Sequence, residues 1–320
     1  MKRTFAVAAL AATLVVWPIA AQAASVDVQA NNPQVAGNAS SNATAVFPTN
    51  KQNEPTIALD PTNPSHLIAG SNDEQDQPPC GPGPVRGSGA AKSDCSFSPG
   101  VGTSGIYLSG DGGTSWSNHG LLDDQASWAG AGVISDGDPV ITFGPKPDGH
   151  GGYSYTNGAR AYYASLATIT SLKGFEHIVV SYSDDDGVTW SAPAIATTRT
   201  NAAQFNDKNW ITVDRSSSSP YFGRVYVSWT AFRSATATGN GNEPVMVATS
   251  VNGGASFGAP KQLSPAGNNG TGKGRQGTSS TVGPDGTAYV AFEQASSQVV
   301  TVSRDGGGSW TRPMLSLIHI

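Results

Sequence analysis

The chain has 320 residues, 39 of them glycine, with 13% charged residues and a formal net charge of −5 at neutral pH. This composition favours short strands and tight turns over long helices, and the lack of any Lys/Arg run after the first few residues excludes an electrostatic nucleic-acid or anionic-membrane surface. The length is enough for a substantial core in a single all-β or repeat domain.

Residues 1–23 read as an export signal: Lys2 and Arg3 are the positive region, Phe5 to Ala20 the apolar stretch, and Ala21-Gln22-Ala23 a small-residue cleavage site. The mature chain is then expected to start at Ala24 and to be secreted, extracellular or periplasmic, with no membrane segment left after cleavage. Residues 24–50 form a polar N-terminal segment expected to be flexible. The only cysteines, Cys80 and Cys95, share one Pro/Gly-rich loop. In an oxidising compartment they are expected to form a local disulfide, which would stabilise by roughly 3 kcal/mol and mainly order that loop.

From residue 51 to 314 one pattern recurs four times, S-x-[DN]-x-G-x-[ST]-[WF]. It spans Ser109–Trp116, Ser183–Trp190, Ser250–Phe257 and Ser303–Trp310. Physically this is a hairpin turn closed by its own side chains. The Asp or Asn accepts backbone N–H bonds, the glycine permits positive φ, and the aromatic packs under the turn. Each copy follows a strand-like segment, Gly105–Leu108, His177–Tyr182, Val245–Thr249 or Gln298–Val302. Two earlier strands precede each of these. The first strands are Pro55–Asp60, Pro139–Phe143, Trp210–Asp214 and Thr278–Val282; the second are Leu67–Gly70, Ala161–Leu166, Arg224–Trp229 and Thr287–Phe292. A fourth strand is expected after each copy, as at Ser191-Ala192-Pro193 and Gly258-Ala259-Pro260. Four strands per unit, with copies roughly 50 to 75 residues apart, matches a propeller blade with variable loops.

From about Asn53 to Arg312 the chain resembles the sialidase-like, Asp-box (BNR) repeat superfamily. The resemblance implies an all-β β-propeller, with four recognisable four-stranded blades here as part of a six-bladed ring. It also implies a structural role for the repeats, on the face opposite the active site. Active members carry an arginine in a Phe/Tyr-Arg-Ile-Pro motif before the first strand, where this chain has Asn53-Glu54-Pro55-Thr56-Ile57. The family's nucleophilic Tyr and its Glu partner have no assignable counterparts. The ending, Leu315 to Ile320, resembles the translation of a sequencing-library adapter, which implies that the natural chain continues differently.

In a propeller the functional face collects the loops entering first strands and those leaving second strands. These supply Glu54, Asp136, Asp138, Asp207, Lys208, Arg275 and Gln276, and Asp73, Glu74, Arg233 and Glu293. Asp73, Asp138 and Glu293 are the candidate catalytic acids, since glycoside hydrolysis uses paired carboxyl groups. Glu54, Asp207, Arg233 and Arg275 are the candidate substrate-binding groups, the arginines suiting a carboxylate-bearing sugar. All are expected to face one cavity. The five histidines form no spaced cluster, zinc-protease, nucleophile-elbow and phosphate-loop motifs are absent, and turn formation already explains Asp184 to Asp186. No cofactor or metal is therefore expected. The reading is a secreted, monomeric glycan-active protein, an exo-glycosidase acting on terminal sugars of a glycan or glycoconjugate; the alternative is a non-catalytic glycan- or protein-binding propeller.

Overall fold

The computed structural model describes residues 27–31, 52–76, 102–172, 176–197, 204–233, 242–266 and 274–315. Residues 1–23, read from sequence as an export signal, the Cys80/Cys95 loop with its expected disulfide, and residues 316–320 lie outside the described residues. The described chain is all-β, broken only by a 3₁₀ turn at Leu122–Asp124.

Sixteen strands form four four-stranded antiparallel sheets, each a β-propeller blade made from consecutive strands. Blade 1 contains β1 (Gln52–Leu59), β2 (Leu67–Asp73), β3 (Ser104–Ser109) and β4 (Ser117–Leu121). Blade 2 contains β5 (Val133–Pro147), β6 (Tyr153–Ile169), β7 (His177–Ser183) and β8 (Ala194–Ile195). Blade 3 contains β9 (Gln204–Val213), β10 (Val225–Arg233), β11 (Val245–Ser250) and β12 (Lys261–Gln262). Blade 4 contains β13 (Arg275–Val282), β14 (Ala288–Gln294), β15 (Ser297–Ser303) and β16 (Met314–Leu315). The first strands β1, β5, β9 and β13 pack side by side in chain order.

The core lies between blades. Ile68, Ile106 and Leu108 of blade 1 meet Phe143, Tyr163 and Val179 of blade 2. Tyr162, Ile178 and Val180, on the opposite side of blade 2, meet Ile211, Val227 and Trp229 of blade 3. Tyr226 and Val247 then meet Val290 and Phe292 of blade 4. Alternate side chains of one strand therefore enter different cores, as Tyr162 and Tyr163 do, because successive residues point to opposite faces of a sheet. With both faces covered, β6 and β10 read as near-continuous buried runs, whereas β14 alternates strictly between buried and exposed. Burying one such side chain contributes about 1.5–3 kcal/mol.

The four repeated motifs form one hydrogen-bond pattern. In the first, Ser109 Oγ donates to Asp111 Oδ1 (2.9 Å) and accepts from Gly113 N (2.9 Å), while Ser115 donates from N and Oγ to Asp111 Oδ1 and Oδ2 (2.8 and 2.6 Å). The copies centred on Asp185 and Asp305 repeat it, and the copy centred on Asn252 differs only in that Asn252 Nδ2 donates to Ser256 Oγ (2.8 Å). The bonds from Ser115 and Ser309 hold the Asp111 and Asp305 carboxyls below the usual range. The aromatic does more than fill the turn. Trp190 is buried against blade 1 in the first core, Phe257 packs on the second and Trp310 on the third, so each leans on the preceding blade.

The motif's fifth residue explains its glycine. A Cβ on Gly187 would lie 2.7 Å from Leu108 Cδ2 and 2.9 Å from Ile68 Cδ1, both in blade 1. On Gly113, the first copy, it would approach only that motif's own Trp116, at 3.9 Å.

The outer strands differ from expectation. Those expected at 191–193 and 258–260 form just beyond, at β8 and β12, because Pro193 and Pro260 cannot donate to the ladder. Leu315 pairs with Val299 in β16.

Candidate functional site at the channel mouth

Every innermost strand bulges at the same height. Glu54, Asp138, Lys208 and Gly277 occupy the left-handed region with φ of 52°, 49°, 54° and 66°. Each sits at a register shift against the second strand of its blade. A bulge turns one side chain out of the pleat and leaves its backbone unpaired in the ladder. Holding a non-glycine residue there costs about 1–3 kcal/mol, strain that collects where a surrounding structure holds it for a purpose.

Neighbouring blades clamp these bulges. Asn209 Nδ2 donates to the Asp138 carbonyl (3.2 Å) and Thr278 Oγ1 to the Lys208 carbonyl (2.9 Å). The Asn72 side chain accepts from Asp138 N (2.6 Å) and donates to Asp138 Oδ1 (3.3 Å).

Between the bulges lies a cavity of about 270 Å³ whose lining includes Glu54, Asp138, Pro139, Lys208, Trp210 and Thr278. Lys208 Nζ stands 3.5 Å from Asp138 Oδ2, 3.8 Å from Asp207 Oδ1 and 3.9 Å from Glu54 Oε1. Burial works against the lysine's charge, but the three carboxylates outweigh it and raise its pKa. Trp210 is 38% exposed and offers an apolar face beside these charges.

Glu176 lies beside the cluster, close enough to feel its charges, but is not among the residues lining the cavity. It is half-buried, has φ 53° and precedes β7. Its carbonyl accepts from Asn206 N (3.2 Å) and Nδ2 (3.0 Å), tying the loop to β9. Burial, then the charges of Asp207 and Asp138, push its carboxyl up to about 7. Asp207 is raised as well, by burial and by Asp138, against its bond from Lys208 N and the Lys208 charge. Glu176 was not among the residues selected from sequence. The available signal was an acid immediately before a third strand, at the far end of the loop that leaves a second strand.

The structure thus brings Glu54, Asp138 and Asp207 together around Lys208, and separates the other candidates. Asp73 is fully buried, accepts from Tyr107 Oη at 2.5 Å and caps Gln75 N and Asp76 N, so it does not open onto the cavity. Asp136 is likewise buried and accepts from Thr168 Oγ1 (2.7 Å). Arg275 and Glu293 line a separate cavity of about 180 Å³ with Phe232 and Glu243. There Arg275 Nε donates to Gln294 Oε1 (3.2 Å), and burial lowers the guanidinium's pKa against the opposing effect of Glu243. Arg233 lines a third cavity, of about 190 Å³, with Trp229 and Met246, and donates to Gln262 Oε1 (3.4 Å). Of the seven residues expected to share one cavity, Glu54 and Asp138 line the first, Arg275 and Glu293 the second and Arg233 the third, while Asp207 stands behind Lys208 and Asp73 is buried. Phe232 and Arg233, adjacent in β10, leave the sheet on opposite sides and enter different cavities.

No family model and no curated protein matches this chain. Among solved structures, an α-L-arabinofuranosidase from Fusarium graminearum is similar at 13% identity and TM-score 0.51, over 81% of this chain and 65% of that one. A Dyadobacter fermentans protein of unknown function is similar at 15% identity and TM-score 0.48, over 78% of this chain and 60% of that one. A Hadza microbial sialidase is similar at 14% identity and TM-score 0.46, over 82% and 46%. The chain thus spans between about half and two thirds of the length of these three proteins. The first likeness is one of fold.

Proposed function

We propose that the channel mouth binds a sugar and hydrolyses a glycosidic bond, in an exported protein of the sialidase-like type. The observation that supports this best is Glu176, whose carboxyl stays protonated up to about pH 7 beside Asp138 and Asp207 at the mouth of the channel. A general acid must hold its proton at the working pH and give it to the leaving oxygen, while a second, ionised carboxylate serves as base or nucleophile. In this reading Glu176 is the acid and Asp138, held by Asn72 and facing Lys208, is the carboxylate. Trp210 stacks on the apolar face of the ring, and Glu54 and Lys208 bind hydroxyls. The fold is also one on which an α-L-arabinofuranosidase is built.

A non-catalytic sugar-binding mouth is the second reading, favoured by Lys208, which already lies against three carboxylates. A panel of chromogenic glycosides separates the two. Hydrolysis by the wild type, with turnover falling as pH rises through about 7 and dropping roughly 10²- to 10⁴-fold in Glu176→Gln at little changed KM, is the expected result. Sugar binding by calorimetry without turnover on any glycoside would establish the second reading instead.

A further inference from the structure

On the opposite face from the channel mouth, the seam between blades 1 and 2 holds a second cluster. Asp60 and His66 close the turn between β1 and β2, with Asp60 N donating to the His66 carbonyl (3.0 Å). Asp186, the fourth residue of the second motif, reaches them from blade 2. One ligand atom from each of the three lies within 4.8 Å of the others, and His66 Nδ1 is 2.9 Å from Asp186 Oδ2.

Four features distinguish this cluster from ordinary turn chemistry. Asp60 is 97% buried by residue, since only 3% of it is exposed, and no Lys or Arg pairs with it among the described residues. Thr62 N and Oγ1 both donate to its Oδ1 (2.7 Å each), which leaves its other oxygen without a hydrogen bond. His66 Nδ1 is out of solvent and, despite its closeness to Asp186, makes no aligned hydrogen bond, so its in-plane donor or lone-pair direction misses that carboxylate. Asp186 adopts φ 59° where the other three motifs place Gly112, Gly253 and Gly306 at 73°, 66° and 68°. A strained aspartate has thus replaced glycine in the one copy that faces His66.

The other seams show what this place holds elsewhere. The residue before the partner of the motif serine is His66 in blade 1, Arg160 in blade 2 and Arg224 in blade 3. Arg160 Nη1 donates to the Gly253 carbonyl (2.8 Å), and Arg224 Nη1 to the Gly306 carbonyl (2.5 Å). Two seams are latched by a guanidinium on a backbone carbonyl, while the first sets an imidazole before two carboxylates.

We propose that Asp60, His66 and Asp186 bind a divalent transition-metal ion of the zinc class, which staples blade 1 to blade 2. One imidazole and two carboxylates suit zinc, cobalt or manganese, and the nitrogen ligand disfavours calcium and magnesium. With bonds of about 2.0–2.2 Å, ligand atoms in a tetrahedral shell lie about 3.3 Å apart, so a small side-chain rotation closes the present cluster. Water takes the fourth position, and the part-exposed His66 and Asp186 side chains leave the ion a way in.

The test is zinc titration of the chelator-treated chain by calorimetry and thermal melting, on wild type, His66→Ala and Asp186→Gly. Asp186→Gly folds by design, because glycine occupies this position in the other three motifs. The wild type is expected to bind one zinc and to melt about 4 °C or more higher with it. Asp186→Gly should melt normally in chelator, lose at least tenfold in affinity and show no zinc shift; calcium should shift neither. Equal zinc responses in wild type and Asp186→Gly, or no response in the wild type, overturn the proposal and leave a His66–Asp186 ion pair in place of the arginine latch.

Discussion

Lys208 Nζ reaches across from blade 3 to within 3.5 Å of Asp138 Oδ2 in blade 2, and both residues stand in the left-handed region on matching bulges. Each helps to hold the other's unfavourable backbone, because the attraction between opposite charges draws both side chains towards the seam. The pair joins two blades at the cavity the proposed site uses.

Among the described residues, Lys208 is the cation placed among Asp138, Asp207 and Glu54, and Lys208→Met removes it. The remaining carboxylates then face one another without a counter-charge and repel wherever they are ionised. Such groups destabilise as they ionise, so the variant should melt near wild type at pH 4 and several degrees lower at pH 8. Melting curves at the two pH values check this, and a uniform loss would show that Lys208 acts through packing alone.

Glu176 sets its own pH dependence. Its folded pKa, about 7, lies above an unfolded value near 4.5, so between these the folded state holds the extra proton. Stability from this group is full below about pH 4.5 and declines as pH rises to about 7. Glu176→Gln cannot ionise, so the melting temperature of the variant relative to wild type should climb over that window. A difference constant from pH 4.5 to 8 would place Glu176 in a more solvated setting.

Gly187 and Gly113 share φ values of 88° and 87° but not surroundings. Alanine at either meets the same backbone strain, about 1–2 kcal/mol. At Gly187 the added methyl also strikes Leu108 and Ile68, and overpacking adds about 1–3 kcal/mol. Chemical denaturation should therefore rank Gly187→Ala clearly below Gly113→Ala, and equal losses would exclude the blade contact as the cause.

Trp190→Ala should lose about 3–5 kcal/mol, since the ring is 3% exposed and meets Tyr163 edge-on at 5.5 Å. Trp116, at the same motif position, is only half-buried and belongs to none of the three cores, so Trp116→Ala should cost less than half as much. Denaturant midpoints decide between them.

The blades were legible because their chemistry is local. Ser109, Asp111, Gly113 and Ser115 bond one another within seven residues, so spacing alone exposes the pattern four times. The mouth was only half legible. Loop order grouped Glu54, Asp138 and Asp207, which the structure sets around Lys208, but Glu54, Asp138, Lys208 and Gly277 share no residue type, so nothing in the chain announces a common bulge. Arg233 and Arg275 were misplaced for a related reason. Strand order tells which end of a blade a residue occupies, whereas the two-residue period tells which side it leaves by, and a bulge resets that count. Glu176 escaped because its proton affinity comes first from burial and then from Asp207 and Asp138, which lie on other strands, and neither is visible in the local sequence.

The seating of Trp190, Phe257 and Trp310 on the preceding blade gives the stack a polarity. Each blade brings its own plug and fits it to a socket already built by the chain before it, so during synthesis a blade can be sealed as soon as it leaves the ribosome. Deletion is correspondingly lopsided. Removing blade 4 uncovers part of blade 3 but leaves the plug of Phe257 in place, whereas removing blade 1 deprives Trp190 of the surface formed by Ile68, Ile106 and Leu108.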